Sequence, residues 1–373
     1  MREIEPTELK TRLEAGEELS VVDIRESDDY AAWHIRGSRN LPVYDALKSG
    51  DEQSLVGQAR SLPRDRSIVT VCRGGVISRR AAELLESMGF EAASLSGGMY
   101  GWGAVWSEAE IGLRARPAAV FVQIRRNGKG CLSYLLGSGR EAAVVDPSAE
   151  IGAYLAAAER RGLVIRHVFE THVHADHLSR ARELCAATKA RLWMPPNRRA
   201  VFPFTAIGDG EKAQVGGIEI ETIATPGHTG ESVCYLVDGE ALLTGDTLFV
   251  DAVGRPDLER GDAGATDGAR LLYRSLHERL GPLAGEIAIY PAHHAEPVGF
   301  DGRPIGATLG ELRSALPLLR LDESEFVARI VAGLGHKPPN FTTIIGINEG
   351  RAALAGHDPL DLEAGPNSCA AGR

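Results

Sequence analysis

Cysteine is scarce in this chain: five in 373 residues, at positions 72, 131, 185, 234 and 369, with no CxxC spacing. An odd and dispersed set is no disulfide framework, so a reducing compartment is expected. The opening stretch MREIEPTELKTRLEAGEELS carries charge throughout and lacks the apolar centre of a secretory signal. No run of about 18 apolar residues offers a membrane span. The expected location is the cytoplasm, with no membrane partner. Positive charge is also short. Lys and Arg number 41 against 51 Asp and Glu, a net charge of −10, which excludes a broadly basic surface and argues against nucleic acid as a partner. Internal repeats and low-complexity tracts are missing as well.

What is present is abundant glycine, 43 residues, as expected of turns and loop-built sites. At roughly 100–200 residues per domain the length suggests two or three domains. Residues 1–107 alternate short apolar runs with helical patterns: Ser20 to Ile24, Ser67 to Val71 and Glu91 to Leu95 read as strands, Ser78 to Met88 as a helix stopped by Gly89. That alternation predicts a small parallel α/β domain. A linker is expected over 107–117. Residues 118–357 then carry many short strands interleaved with helices, a larger two-sheet α/β layered domain, and 358–373 read as a flexible tail.

The densest chemistry is Thr171-His172-Val173-His174-Ala175-Asp176-His177, placed directly after a predicted strand. Imidazole and carboxylate side chains are ligands for zinc, iron and manganese, and a loop at a strand end can aim several at one point. A polar loop that merely happens to be His-rich is the ordinary alternative. Single residues with the same placement follow: His228 in Thr225-Pro226-Gly227-His228, Asp246 in Thr244-Gly245-Asp246, and His293 in Tyr290-Pro291-Ala292-His293. Taken together and in this order, these segments resemble the metallo-β-lactamase superfamily over about 118–355. The resemblance implies an αββα sandwich with a metal site at one edge of its two sheets. In the superfamily's two-metal pattern His172, His174 and His228 would hold one ion, Asp176, His177 and His293 the other, with Asp246 bridging. In its mono-iron pattern His172, His228 and Asp246 form a two-histidine, one-carboxylate triad with positions left for substrate and O2, and His174, Asp176, His177 and His293 orient ligands and water around it. Gly254-Arg255-Pro256-Asp257 and Lys337-Pro338-Pro339-Asn340 with Ile347-Asn348 resemble segments of persulfide dioxygenases, which implies substrate contacts at Arg255 and Asp257. A salt bridge is the alternative for that pair. Arg180 stands where these families usually have glycine.

In the first domain, Val71-Cys72-Arg73-Gly74-Gly75-Val76-Ile77-Ser78 joins a predicted strand to a predicted helix. Backbone N–H groups at such a junction favour an anion, either a thiolate or the terminal sulfur of a persulfide. A buried packing cysteine is the plain alternative. With Val22-Asp23-Ile24-Arg25, Tyr30, His34-Ile35-Arg36-Gly37 and Leu95-Ser96-Gly97-Gly98-Met99 around it, the segment resembles a rhodanese domain over about 4–106. That implies Cys72 as a persulfide carrier, Arg73 beside it, and Gly74, Gly75 and Ser78 cradling substrate, with Asp23 and Arg25 bracing the fold. The loop departs from the family at Ile77, where many rhodaneses have Arg. A phosphatase-type phosphate clamp would need Arg at position 78 and finds Ser78. Cys131, Cys185 and Cys234 read as packing residues and Cys369 as inert.

The combined expectation is a rhodanese fused to a persulfide dioxygenase-like metal domain. It would be a sulfide-detoxifying oxidoreductase with sulfurtransferase activity, holding one Fe(II) per chain and acting on a small-molecule thiol persulfide and O2 to give sulfite. A homodimer is also expected. The alternative is a two-zinc glyoxalase II-type thioester hydrolase with an appended regulatory rhodanese.

Overall fold

The computed structural model describes residues 2–365 and 367–372. In the first part, five strands lie in the order Arg2–Ile4, Ala92–Leu95, Ile68–Val71, Ser20–Asp23, Arg39–Asn40, all parallel. The central strands are apolar on both faces because helices cover both sides. Leu47, Leu55, Ala81 and Leu85 pack on one face, and Leu9, Met99 and Trp102 on the other.

The second part is four-layered. A seven-stranded sheet runs Thr205–Ala206, Arg191–Met194, Val164–Phe169, Glu141–Val145, Leu132–Ser138, Val120–Arg126, Trp106–Glu110. A six-stranded sheet runs Lys212–Val215, Ile218–Ala224, Val233–Val237, Ala241–Gly245, Ala288–Pro291, Ala307–Thr308. The period of two in each strand sorts its side chains between the layers. Phe121, Tyr134, Phe169, Val215, Tyr235 and Leu243 fill the space between the sheets. Val122, Ile124, Leu135, Val144 and Val168 point the other way, against the helix Ile151–Glu159 and its neighbours. On the opposite outer face Leu242 and Ile289 meet the helices Gly261–Arg274 and Glu323–Ala332. The expected α/β pair, rhodanese-like and αββα, is the architecture found.

Two expectations change. The stretch expected as a linker contains the strand Trp106–Glu110, antiparallel to Val120–Arg126, so the second sheet starts before residue 118. Ser107 and Ala109 face inward, while Glu108 and Glu110 face outward and pair with Arg160 and Arg161. A five-residue strand with polar residues on its open side carries too little apolar alternation to announce itself. The segment expected as a flexible tail is docked. Glu363 is buried, accepts from Leu178 N at 2.6 Å and pairs with Arg126 at 2.8 Å. Ala370–Ala371 pairs with Val253–Gly254. No helix among the described residues is long and apolar enough to cross a membrane.

Candidate metal centre and the Cys72 loop

All the candidate metal ligands sit just past the C-terminal ends of strands, at one edge of the sandwich. His172, His174, Asp176 and His177 follow Val164–Phe169, His228 follows Ile218–Ala224, Asp246 follows Ala241–Gly245 and His293 follows Ala288–Pro291. Close backbone approach requires Gly245, which has a positive φ of 52°. A Cβ there would stand 2.6 Å from Thr171 Oγ1.

His172, His228 and Asp246 converge with donor atoms within 4.8 Å of one another, and all three are buried. Asp246 Oδ2 lies 3.4 Å from His228 Nε2 and 3.8 Å from His172 Nε2. Among the described residues none of these three atoms has a hydrogen-bond partner. The far side of each ring is occupied. Thr171 Oγ1 donates to Asp146 Oδ2 at 2.9 Å, so it accepts from His172 Nδ1, also at 2.9 Å. His228 Nδ1 donates to the Arg255 carbonyl at 2.7 Å. Each imidazole is thus fixed as the tautomer whose Nε2 lone pair faces the centre. Burial, then the neighbouring imidazoles, hold His172 well below the usual histidine range, in the neutral form that ligates. Buried polar atoms left without partners are costly unless something binds them, and two imidazoles with one carboxylate are a first-row transition-metal donor set. The residues therefore fit a metal ion.

The rest of the motif is built differently. Asp176 Oδ1 lies 3.1 Å from His177 Nδ1, and Asp176 Oδ2 lies 2.9 Å from His293 Nε2, whose Nδ1 is 2.6 Å from Asp246 Oδ1. Cys131 joins this group, its thiol 3.7 Å from Asp176 Oδ2. Burial and Asp176 push that thiol up, but His177 and His293 bring it down to about 7. His174 turns Nε2 away from the triad toward Glu170 (3.0 Å) and Asp146 (3.1 Å). Burial opposes its charging, yet these two carboxylates hold it well above the usual range. Its Nδ1 and His177 Nε2 have no partner. Asn348 Nδ2 donates to the carbonyls of His174 and His177, clamping the loop.

Arg255 is buried. Its Nε and Nη2 donate to Asp257 at 2.7 and 3.0 Å, and its remaining donors reach the carbonyls of Gly335, His336 and Ser368. Its guanidinium thus fastens the C-terminal segment, while its own carbonyl orients His228. Arg180 pairs with Glu150 at 2.8 Å.

Sequence reasoning missed four residues here. Asp146 and Glu170 end strands without any motif around them. Cys131 precedes a strand and reads as packing. Cys369, expected inert, is fully buried against Asp246 and His293, and burial, then Asp176 and Asp246, push its thiol well up. Nothing in the local pattern of any of the four marks it. Cys185 is half-buried and Cys234 buried in the second sheet, as expected of packing residues.

In the first domain Cys72 lies between the strand Ile68–Val71 and the helix Val76–Ser87, and only 1% of its surface is exposed. Its Sγ accepts from Ser78 Oγ at 3.2 Å and Ser78 N at 3.4 Å. Gly75 and Gly98 let the two glycine pairs touch: a Cβ on Gly98 would stand 2.3 Å from the Cys72 carbonyl. Gly74 stands in open space in the same turn. Arg73 is exposed and pairs with Asp29 at 3.0 Å. Asp23 and Arg25 form a buried two-pronged ion pair inside the fold.

Comparison with known proteins places both parts. Residues 5–105 match the rhodanese-like domain and 126–293 the metallo-beta-lactamase superfamily. The mitochondrial persulfide dioxygenase ETHE1 of Mus musculus is 31% identical over 224 residues, 57% of this chain and 81% of that protein. The Homo sapiens protein is 32% identical over 214 residues, covering 56% and 78%. A hydroxyacylglutathione hydrolase from Methylococcus capsulatus is 39% identical over 166 residues, 43% of this chain and 60% of that protein. Among solved structures, ETHE1 from Myxococcus xanthus superposes with a TM-score of 0.55 at 28% identity, covering 62% of this chain and 100% of that one. A metallo-beta-lactamase from Staphylococcus aureus gives 0.58 at 27% identity, covering 64% and 74%. The chain therefore belongs to the metallo-beta-lactamase superfamily, as a homologue of the ETHE1 persulfide dioxygenases that carries a rhodanese-like domain at its N-terminal end.

Proposed function

We propose that the chain oxidises a low-molecular-weight thiol persulfide with O2 at a mononuclear iron site, and that Cys72 exchanges sulfane sulfur with the same pool. One observation carries the mononuclear reading. His172 Nε2, His228 Nε2 and Asp246 Oδ2 converge without partners, while both rings are anchored from behind. Iron(II) held by these three residues supplies the redox chemistry that adds O2 to sulfur. The balance is persulfide plus O2 plus water giving thiol, sulfite and two protons. Thr171 and the Arg255 carbonyl keep the two imidazoles in their ligating tautomers through the reaction, and Asp176 ties His177 and His293 beside the centre. At Cys72, sulfite would attack the terminal sulfur of a cysteine persulfide. The S–S bond breaks, thiosulfate forms, and the Cys72 thiolate leaves into the hydrogen bonds of Ser78 N–H and Oγ–H.

A second reading, a two-zinc thioester hydrolase, rests on the Cys131, Asp176, His177 and His293 group with its unpartnered His177 Nε2, and on the hydrolase relatives. Anaerobic purification with metal analysis and an oxygen electrode separates the two. About one iron per chain and O2 uptake with glutathione persulfide or coenzyme A persulfide is the expected result. Two zinc ions with thioesterase activity would overturn it.

A further inference from the structure

Between the two domains lies a cavity of about 160 Å³. Trp33 and His34 wall it on the rhodanese side. Asn127 and Lys129, in the turn between Val120–Arg126 and Leu132–Ser138, wall it on the metal side, and Asn367 reaches it from the C-terminal segment. Lys129 is only 4% exposed. Its Nζ reaches one acceptor, the Gly365 carbonyl, at 3.4 Å, and among the described residues no carboxylate lies within ion-pair distance. Asn127 is 5% exposed, and among the described residues neither its Oδ1 nor its Nδ2 has a partner. Asn367 Nδ2 has none either, while its Oδ1 accepts from Cys369 N. Among the described residues the only acidic one on the wall, Glu296, is exposed at the rim.

A buried ammonium without a counter-charge is costly, and so are buried amides without partners. Three such groups around one cavity offer the Lys129 ammonium and two amide N–H donors, with one amide oxygen of Asn127 beside them and a single positive charge. The volume is below the few hundred cubic ångströms of a drug-sized site, so the occupant is small. The walls lead both ways. Gly130 is followed by Cys131 in the metal cluster, and Asn367 is two residues from Cys369. The helix Ser27–Ala32, which lines the cavity through Ala31 and Ala32, holds Arg73 of the Cys72 loop through Asp29. Trp33 Nε1 donates to the Gly128 carbonyl and joins the two walls.

We propose that this cavity is a binding site for a small sulfur oxyanion, sulfite or thiosulfate, held by Lys129, Asn127 and Asn367 between the two reactive centres. The choice of sulfur rests on the function proposed above; the anion site does not.

The test titrates the full-length metal-loaded protein, with Cys72 reduced, against sodium sulfite, thiosulfate, phosphate and glutathione, following tryptophan emission. Trp33→Phe assigns the signal. Saturable binding of sulfite or thiosulfate is expected. Lys129→Met should weaken it by about tenfold or more, the scale of one charge-assisted hydrogen bond, and Lys129→Arg should retain it. Asn127→Leu, which leaves the charge, provides a second variant should Lys129→Met fail to fold. Binding should survive in His172→Ala and in Cys72→Ser. Titrations unchanged in both Lys129→Met and Asn127→Leu, or abolished by His172→Ala or Cys72→Ser, would overturn the proposal. Phosphate or glutathione binding as tightly as sulfite would overturn the assignment to sulfur. Should oxyanion binding behave as expected while persulfide-dependent O2 uptake is missing, the functional reading fails and the anion site stands.

Discussion

The two candidate centres are built by opposite means. The Cys72 site is one contiguous loop, in which strand, thiol, glycines and helix start fall within a few residues, and its partner Ser78 is six residues on. The candidate metal centre draws its candidate ligands from the ends of four strands, and the groups that orient them come from further still: Asp146, the Arg255 carbonyl, Asn348 and the C-terminal segment. A contiguous site depends on local backbone shape. An assembled one depends on whatever holds distant segments in register, so its weak points lie away from the ligands.

The largest effect that separates the two belongs to a ligand. Asp246→Ala removes one of three convergent donors from the triad and the partner of His293 Nδ1. Metal content and O2 uptake should be lost, while sulfur transfer to Cys72 from thiosulfate persists. Parallel loss of both activities would show that the centres are not separately built. Next comes a residue outside the site. Arg126→Met leaves Glu363 buried and unpaired, which costs about 3–5 kcal/mol and loosens the segment bonded to Leu178 N. In the native chain burial pushes the Glu363 carboxyl up, but Arg126, His177 and the Leu178 N–H together outweigh it and hold it below the ordinary glutamate value. Its stabilising contribution is therefore present above the unfolded value and is lost as pH falls through the folded one. In Arg126→Met the largest of these opposing contributions is gone and the carboxyl moves up, so the difference from the native protein shrinks on acidification. Denaturant midpoints of both proteins between pH 7 and pH 4 check this.

The same contrast explains what the sequence disclosed. His172, His228 and Asp246 were legible as candidate ligands because imidazole and carboxylate at strand ends are written in the residues themselves, their grouping came from the superfamily resemblance, and Cys72 was legible as a candidate because its loop is contiguous. A two-sheet layered domain was legible in the interleaved strands and helices, and its αββα order in the resemblance of the motifs. Asp146, Glu170, Cys131 and Cys369 were not, because a residue that meets a site through tertiary packing looks locally like any strand-end carboxylate or core cysteine. The C-terminal segment was read as a flexible tail because its glycine, proline and alanine carry no periodicity. Its docking depends on long-range contacts: Glu363 to Arg126 and Leu178 N, the Arg255 guanidinium to the Ser368 carbonyl, and the short pairing of Ala370–Ala371 with Val253–Gly254. Arg255 was picked out by the resemblance of its segment, but that resemblance could not tell that its side chain faces Asp257 and the tail while its carbonyl faces His228.

A smaller effect probes the anchoring behind the ligands. Thr171→Val keeps the shape of the side chain but deletes the hydroxyl that links His172 Nδ1 to Asp146. Such partners typically control about 10–100-fold in metal affinity. Metal competition with a chelator should show a loss in that range, with sulfur transfer at Cys72 unaffected. Unchanged affinity would mean that packing alone sets the His172 ring.

The smallest expected effect lies in the contiguous loop. Ser78→Ala removes the hydroxyl donor 3.2 Å from Cys72 Sγ but leaves the backbone N–H at 3.4 Å, so the sulfur keeps one of its two bonds. It also releases Ser94 Oγ from its 2.9 Å contact. One hydrogen bond to a charged sulfur is worth about 1.5–3 kcal/mol in full, and sharing the task with the backbone brings the expected loss toward the lower end, on the order of tenfold in the rate of sulfur transfer. Stopped-flow transfer from thiosulfate to cyanide measures it, and O2 uptake at the metal centre should not move. A loss of several hundredfold would show that the hydroxyl, and not the backbone shape of the loop, is what stabilises the leaving thiolate. The Cys72 site would then depend on an assembled side-chain network much as the metal centre does.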